Sequence, residues 1–149
     1  MPHERTITVN RGATYNYEIL ERIEAGLVLQ STEIKSVREN HVNLSGGYAF
    51  PLNGELWLQN CHIAPYPAAS WENHEPRRPR KLLLHRGQVR RFSTAALQKG
   101  FTIVPLKLYI SGHYAKVELG IGRGRKRHDK RQLLRDREWR NEARDAERR

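Results

Sequence analysis

Tyr48-Ala49-Phe50-Pro51-Leu52-Asn53-Gly54-Glu55-Leu56-Trp57-Leu58-Gln59 decides the fold class. Asn-Gly supplies the two positive φ angles of a type I′ turn, and β-prone residues flank it on both sides, so the stretch predicts a β-hairpin. A second hairpin follows from Phe101–Ile110 and Tyr114–Leu119, joined through Ser111-Gly112-His113. On the N-terminal side, Tyr15–Ile23 alternates at roughly period two and predicts a strand. Glu24-Ala25-Gly26 then reads as a turn, and Leu27-Val28-Leu29 as renewed extended chain.

Two short helices fit between the strands. Ser31 to Arg38 can begin with Ser31 as N-cap, with Glu33 near the positive end of the dipole and Ile34 and Val37 on one face. The second runs from Gln88 to Lys99 and closes at Gly100; Val89, Phe92, Ala96 and Lys99 follow helical spacing, with Leu97 beside them. Pro65–Pro79 reads as a loop. The pattern is mainly β and predicts a closed or partly open barrel of the oligonucleotide-binding type, with small flanking helices and a basic C-terminal tail.

The chain carries 27 Lys and Arg against 16 Asp and Glu, a formal net charge of +11. Like charges oppose a compact state, so this excess points to a polyanionic partner, nucleic acid or an anionic surface. Twelve of the basic residues but only six of the acidic ones lie between Arg123 and Arg149. A boundary near Gly122 therefore separates a folded domain, 1–122, from a tail, 123–149. The tail is expected to be disordered when free, because its apolar stripe is sparse. No run approaches the roughly 20 apolar residues of a membrane-crossing helix, and no basic region leads into an apolar run at the N-terminus. The single cysteine, Cys61, excludes an internal disulfide framework and reads as a small buried hydrophobe.

Catalytic motifs are missing from the sequence: no phosphate-binding Walker loop, no Gly-x-Ser-x-Gly, no His-Glu-x-x-His. The seven histidines show no metal-ligand spacing. The expectation is a protein that is not an enzyme and needs no metal or cofactor. Gly120-Ile121-Gly122-Arg123-Gly124 reads as a flexible exit that lets Arg123, Arg125, Lys126 and Arg127 approach phosphates. Arg77-Arg78-Pro79-Arg80-Lys81 runs into Leu82-Leu83-Leu84, so an apolar anchor would project a basic cluster from a fixed place. Tyr15, Tyr17, Trp57, Tyr66 and Trp71 could supply faces for stacking on bases. The residues alone leave open a structured-RNA binder, a general single-strand binder or ribosomal component, and a nuclease needing Mg²⁺.

Several stretches together resemble the small protein B family. They are Asn10-Arg11-Gly12-Ala13-Thr14-Tyr15, Glu24-Ala25-Gly26-Leu27-Val28-Leu29, Glu33-Ile34-Lys35-Ser36-Val37-Arg38, His62-Ile63-Ala64-Pro65-Tyr66, Arg80-Lys81-Leu82-Leu83-Leu84, Lys116-Val117-Glu118-Leu119-Gly120 and His128-Asp129-Lys130-Arg131. The match runs in order over roughly residues 7 to 140. Gly12 stands where the family carries Lys or Arg, removing one cation, and Tyr15 stands where many members carry His. The resemblance implies a cytoplasmic bacterial adaptor of trans-translation. It would bind the tRNA-like domain of transfer-messenger RNA and bring it to stalled ribosomes, for rescue and peptide tagging. It implies contacts with the decoding region, the mRNA channel and small-subunit rRNA, no membrane partner, and a monomer when free. The resemblance places Asn10, Glu24, Arg80, Lys81 and Leu83 on the RNA face; with the basic residues Arg11, Lys35, Arg77, Arg78, Arg123, Arg125 and Lys126 they make up the expected RNA-binding set. The resemblance matches His128, Asp129, Lys130 and Arg131 to the start of a ribosome-binding tail, which is expected to include Arg127 and Trp139 and, with Asp136–Arg140 and Asp145–Arg149 spaced i,i+4, to become helical once bound.

Overall fold

The computed structural model describes residues 4–68, 73–125, 135, 137, 138 and 140. From residue 4 to 125 the described elements follow in order: β1 (Glu4–Val9), α1 (Arg11–Asn16), β2 (Tyr17–Leu27), α2 (Ser31–Arg38), β3 (Val42–Asn43), β4 (Tyr48–Leu52), β5 (Glu55–Gln59), β6 (His62–Ile63), β7 (Arg80–Leu83), α3 (Arg86–Leu97), β8 (Phe101–Ser111) and β9 (Tyr114–Gly124). The seven-stranded sheet runs β1-β8-β4-β5-β7-β2-β9, and β9 also pairs with β8. Six strands thus hydrogen-bond in a closed ring, with β1 attached outside it along the second half of β8. β3 and β6 form a separate two-stranded sheet. The mainly β expectation holds, and the expected barrel corresponds to this ring.

Period-two alternation decides which side chains line the ring. Leu56 and Leu58 of β5, Leu82 of β7, Ile103 and Leu108 of β8, and Val117 and Leu119 of β9 are buried and pack together. Phe92 of α3 and Val37 of α2, both fully buried, add to this core. The β4–β5 hairpin forms as expected, with Asn53 at φ 53° and Gly54 at φ 76°. The β8–β9 hairpin turns through Gly112 at φ 61°.

Four local expectations are corrected. Tyr15 and Asn16 belong to α1, not to the strand, because the Asn10 carbonyl accepts from the Ala13 amide and starts a turn. Glu24-Ala25-Gly26 is not a turn: it lies inside β2, paired with Glu118, Val117 and Lys116 of β9. Gly26 is there for close approach, since a Cβ at that position would lie 3.1 Å from the Leu83 Cβ. The cap of α2 is Gln30, one residue before the expected Ser31, and Glu33 closes its capping box by accepting from the Gln30 amide at 2.9 Å. Finally α3 begins and ends two residues early, capped by His85, and Leu97 is left 69% exposed.

The strand β9 continues through Arg123 and Gly124, past Gly122. Gly120 and Gly122 do not loosen the chain. A Cβ at Gly122 would sit 2.9 Å from the Tyr17 Cβ, and one at Gly120 2.9 Å from Ile19, so glycine lets β2 and β9 cross closely. The next residue, Arg125, is tied back by its amide to the Asn16 carbonyl at 2.9 Å.

Candidate nucleic-acid interface

Pairing of β7 with β2 sets Gly26 opposite Leu83. Alternation turns Glu24, Lys81 and Leu83 outward, and Arg80 and Leu82 inward. Leu83 is 53% exposed, an apolar side chain displayed on a strand. Beside it, Glu24, Lys116, His85 and Gln88 border a groove of about 350 Å³. A second groove of about 530 Å³, lined by Lys81, Glu55, His85, Arg86 and Val89, shares Leu83 with the first. These two grooves bring Glu24 of β2 and Lys116 of β9 onto one outer surface with Lys81 and Leu83 of β7.

Glu24 is half-exposed but fixed. The Lys116 ammonium lies 2.7 Å from its carboxylate. The hydrogen bond from Lys116, then one from the Tyr109 hydroxyl, holds the Glu24 carboxyl below the usual carboxylate range. Burial, and then the bond to Glu24, pushes the Tyr109 hydroxyl well above its ordinary value, so it stays a donor. Lys107 stands over the Tyr109 ring, 5.1 Å from its centroid. A carboxylate held by an ammonium and a phenol keeps lone pairs free in a set direction, which suits recognition of a base edge or a 2′-hydroxyl. Lys81, opposite Trp57 in the β5–β7 register, pairs with Glu55 at 2.9 Å.

The other expected site residues fall elsewhere. Arg80 is corrected: it is fully buried, not on a phosphate-facing surface. Its guanidinium pairs with Glu33 and donates to the Cys61 carbonyl at 2.8 Å and the Pro76 carbonyl at 3.0 Å. Arg78 pairs with the other oxygen of Glu33. Arg77 is exposed and donates to the Asn60 backbone and side-chain oxygens at 3.2 and 3.1 Å. The Asn10 amide nitrogen donates to the Pro105 carbonyl at 2.9 Å, fastening the start of α1 to β8. Arg11 is exposed on α1, and Lys35 stands 5.5 Å from the Tyr66 ring centroid. Arg123 pairs with Glu18, and Arg125 donates to the Thr14 carbonyl at 3.2 Å. Lys126, Arg127, His128, Asp129, Lys130, Arg131, Trp139 and Trp71 lie outside the described residues.

Reasoning from sequence missed Lys116 and Tyr109, which hold Glu24. No local signal could show them, since Lys116 meets Glu24 only through the β2–β9 register. Arg86 and Arg90 on α3 stand exposed nearby, in a stretch from Pro76 to Val117 that contains ten Lys and Arg and no Asp or Glu. Among the described residues no group of three or more His, Cys, Asp or Glu could hold a metal ion. Among them also, no helix is long and apolar enough to cross a membrane.

A closed ring of strands with a net charge of +11, and ten Lys and Arg without an Asp or Glu from Pro76 to Val117, defines a nucleic-acid-binding class of protein. The model of the SmpB protein family matches residues 7–149. An SsrA-binding protein of Carboxydothermus hydrogenoformans is 50% identical over 131 residues, 88% of this chain and 88% of the relative. One from Trichormus variabilis is 51% identical over 135 residues, 90% of this chain and 87% of the relative. A chain from a solved structure described as "tmRNA-SmpB: a journey to the center of the bacterial ribosome" superposes with a TM-score of 0.70 at 47% identity, over 86% of this chain and 94% of that one. The chain belongs to the SmpB family.

Proposed function

We propose that this chain is a non-catalytic RNA-binding adaptor of bacterial trans-translation. It binds the tRNA-like domain of transfer-messenger RNA and carries it to stalled ribosomes in the cytoplasm. The observation that carries this reading is the joint outer surface of β2, β7 and β9, where the fixed Glu24 carboxylate, exposed Leu83 and Lys81 stand together. Lys81 supplies a cation for phosphate, Glu24 a directional acceptor, and Leu83 an apolar contact for a ribose or base. Arg80 acts indirectly: its bonds to Glu33, Cys61 and Pro76 fix the start of β7, and so the position of Lys81 and Leu83. Asn10 likewise supports the surface through α1.

A gel-shift titration tests the reading. A tRNA-like domain should bind more tightly than unstructured RNA of the same length, and Lys81→Ala should reduce the slope of log affinity against log salt by about 0.7–0.9, one phosphate contact. Equal affinity for the two RNAs would replace the adaptor with a general single-strand binder. RNA cleavage requiring Mg²⁺ would make the chain a nuclease instead.

The residues beyond Arg125 extend the proposal to the ribosome. Their support is their charge and the His128-Asp129-Lys130-Arg131 stretch that resembles the family. The amide and side chain of Arg125 both bond to α1, so a truncation should follow Arg125 and leave those bonds intact. Such a protein should still bind the isolated RNA and fail to support peptide tagging. Tagging at the wild-type rate would remove the ribosomal role from the tail.

A further inference from the structure

We propose that α3 carries a second RNA-backbone track, in which Arg86 and Arg90 bind phosphates of the same RNA that lies on the Glu24–Leu83 surface. The inference rests on the RNA-binding reading above and extends it to a helix not assigned to it.

The exposed positions of α3 form one strip, with Arg86, Arg90, Arg91 and Thr94 along it. Arg91 is ion-paired to Glu21. Among the described residues, Arg86 and Arg90 have no side-chain hydrogen bond, ion pair or ring contact. That is unlike Arg22, Arg78, Arg80, Arg123, Lys81 and Lys116, each of which meets a carboxylate.

The fold gives no reason for these two cations. Arg86 occupies the first helical position, where the dipole favours acids, and α3 has no acid in its first turn. Arg86 and Arg90 are also spaced i,i+4, where like charges repel. Both features oppose the helix, so an external anion is the reason the charges make sense. Four residues of helix advance about 6 Å, which places the two guanidiniums on one side as successive contacts for a single strand. Guanidinium is suited to phosphate because its N–H fork matches two oxygens at once.

The occupant follows from continuity. Arg86 lines the same groove as Lys81 and Leu83, while His85 and Gln88, in the cap and first turn, border the groove with Glu24 and Lys116. A strand on that surface therefore meets α3 at its N-terminal turn and can follow the strip from Arg86 to Arg90.

The test is the salt dependence of full-length protein binding to a tRNA-like domain. Arg86→Gln/Arg90→Gln should lower the slope by about 1.4–1.8, two phosphate contacts, and should melt no earlier than wild type by circular dichroism. Arg86→Lys/Arg90→Lys should keep the slope while losing some affinity, because the bidentate fork is gone. Arg38→Gln serves as a control for bulk charge; it lies on α2 and lines neither groove. An unchanged slope in the double Gln variant, or a loss no larger than that of Arg38→Gln, overturns the α3 track. It is equally overturned if the Gln pair binds the isolated RNA normally and fails only on ribosomes, which would move the partner to ribosomal RNA. Failure of wild type to bind the RNA at all would overturn the underlying reading, a result distinct from each of these.

Discussion

Glu33→Gln should destabilise the fold by about 3 kcal/mol, although it removes only a charge. Glu33 is fully buried on α2, with Arg80, also fully buried, on one oxygen and Arg78 on the other. Breaking a buried ion pair by removing one partner costs about 3–5 kcal/mol, because the other charge is left without compensation. The low end applies here, since a glutamine oxygen still accepts one N–H and Arg80 retains its two carbonyl acceptors. For a chain of this size the corresponding fall in Tm is about 6–12 °C.

The pH dependence isolates the charge. Burial raises the Glu33 carboxyl, but hydrogen bonds from Arg78, the Gln30 amide and Arg80 outweigh it and leave the group below its ordinary 4.5. A carboxyl depressed in the folded state stabilises fully above its unfolded value and loses that contribution as pH falls through the folded one. Urea unfolding followed by circular dichroism should show the same gap between wild type and Glu33→Gln at pH 7 and pH 5. The gap should close only at more acid pH, as Glu33 protonates and becomes neutral like glutamine. A gap under about 1 kcal/mol at pH 7, or one that persists undiminished in acid, would refute the argument.

Three other outcomes follow from the packing. Cys61 is 1% exposed and burial pushes its thiol up to about 12, so a thiol reagent at pH 8 should label it only after denaturation; rapid labelling of native protein would contradict its burial. Gly26→Ala should cost about 1–3 kcal/mol in urea unfolding, because the new methyl meets the Leu83 Cβ, and should weaken RNA binding by moving Leu83; a variant with wild-type stability would show that β2 and β7 separate freely. Asn10→Ala should cost about 1 kcal/mol through loss of its bond to Pro105, so any RNA defect should be accompanied by earlier melting; a defect without that loss would place Asn10 directly on the RNA.

What was legible in the sequence was what local chemistry determines. Asn53-Gly54 specifies its own turn, and two short helices were visible from their apolar spacing. Glu24-Ala25-Gly26 was misread because a glycine looks alike whether it turns the chain or admits a neighbour, and here the neighbour is Leu83, 57 positions away. The last two residues of the short helix α1, Tyr15 and Asn16, were absorbed into the alternating run that follows it. At the site, Glu24, Lys81 and Leu83 were found through a family likeness, whereas their gathering on one surface depends on strand register. Arg80 looked like its basic neighbours, and only the alternation of β7 separates it, pointing inward to Glu33, from Lys81, pointing out.

The closure of the ring has a consequence for how the protein is made. Strand β2 finds its longest partner, β9, only when Lys116 and the residues after it have been synthesised. At about 5–20 residues per second, the chain between them takes roughly 4–17 s to appear. Through that interval a long β-edge emerges from the ribosome without its mate, and such an edge invites pairing with another nascent chain. The sequence of β2 answers this hazard with Glu18, Glu21, Arg22 and Glu24, and with a break in register between Ile19 and Glu21. Charges and a bulge on a waiting edge discourage a wrong partner, and Arg22 and Glu24 later meet Glu118 and Lys116 on the right one.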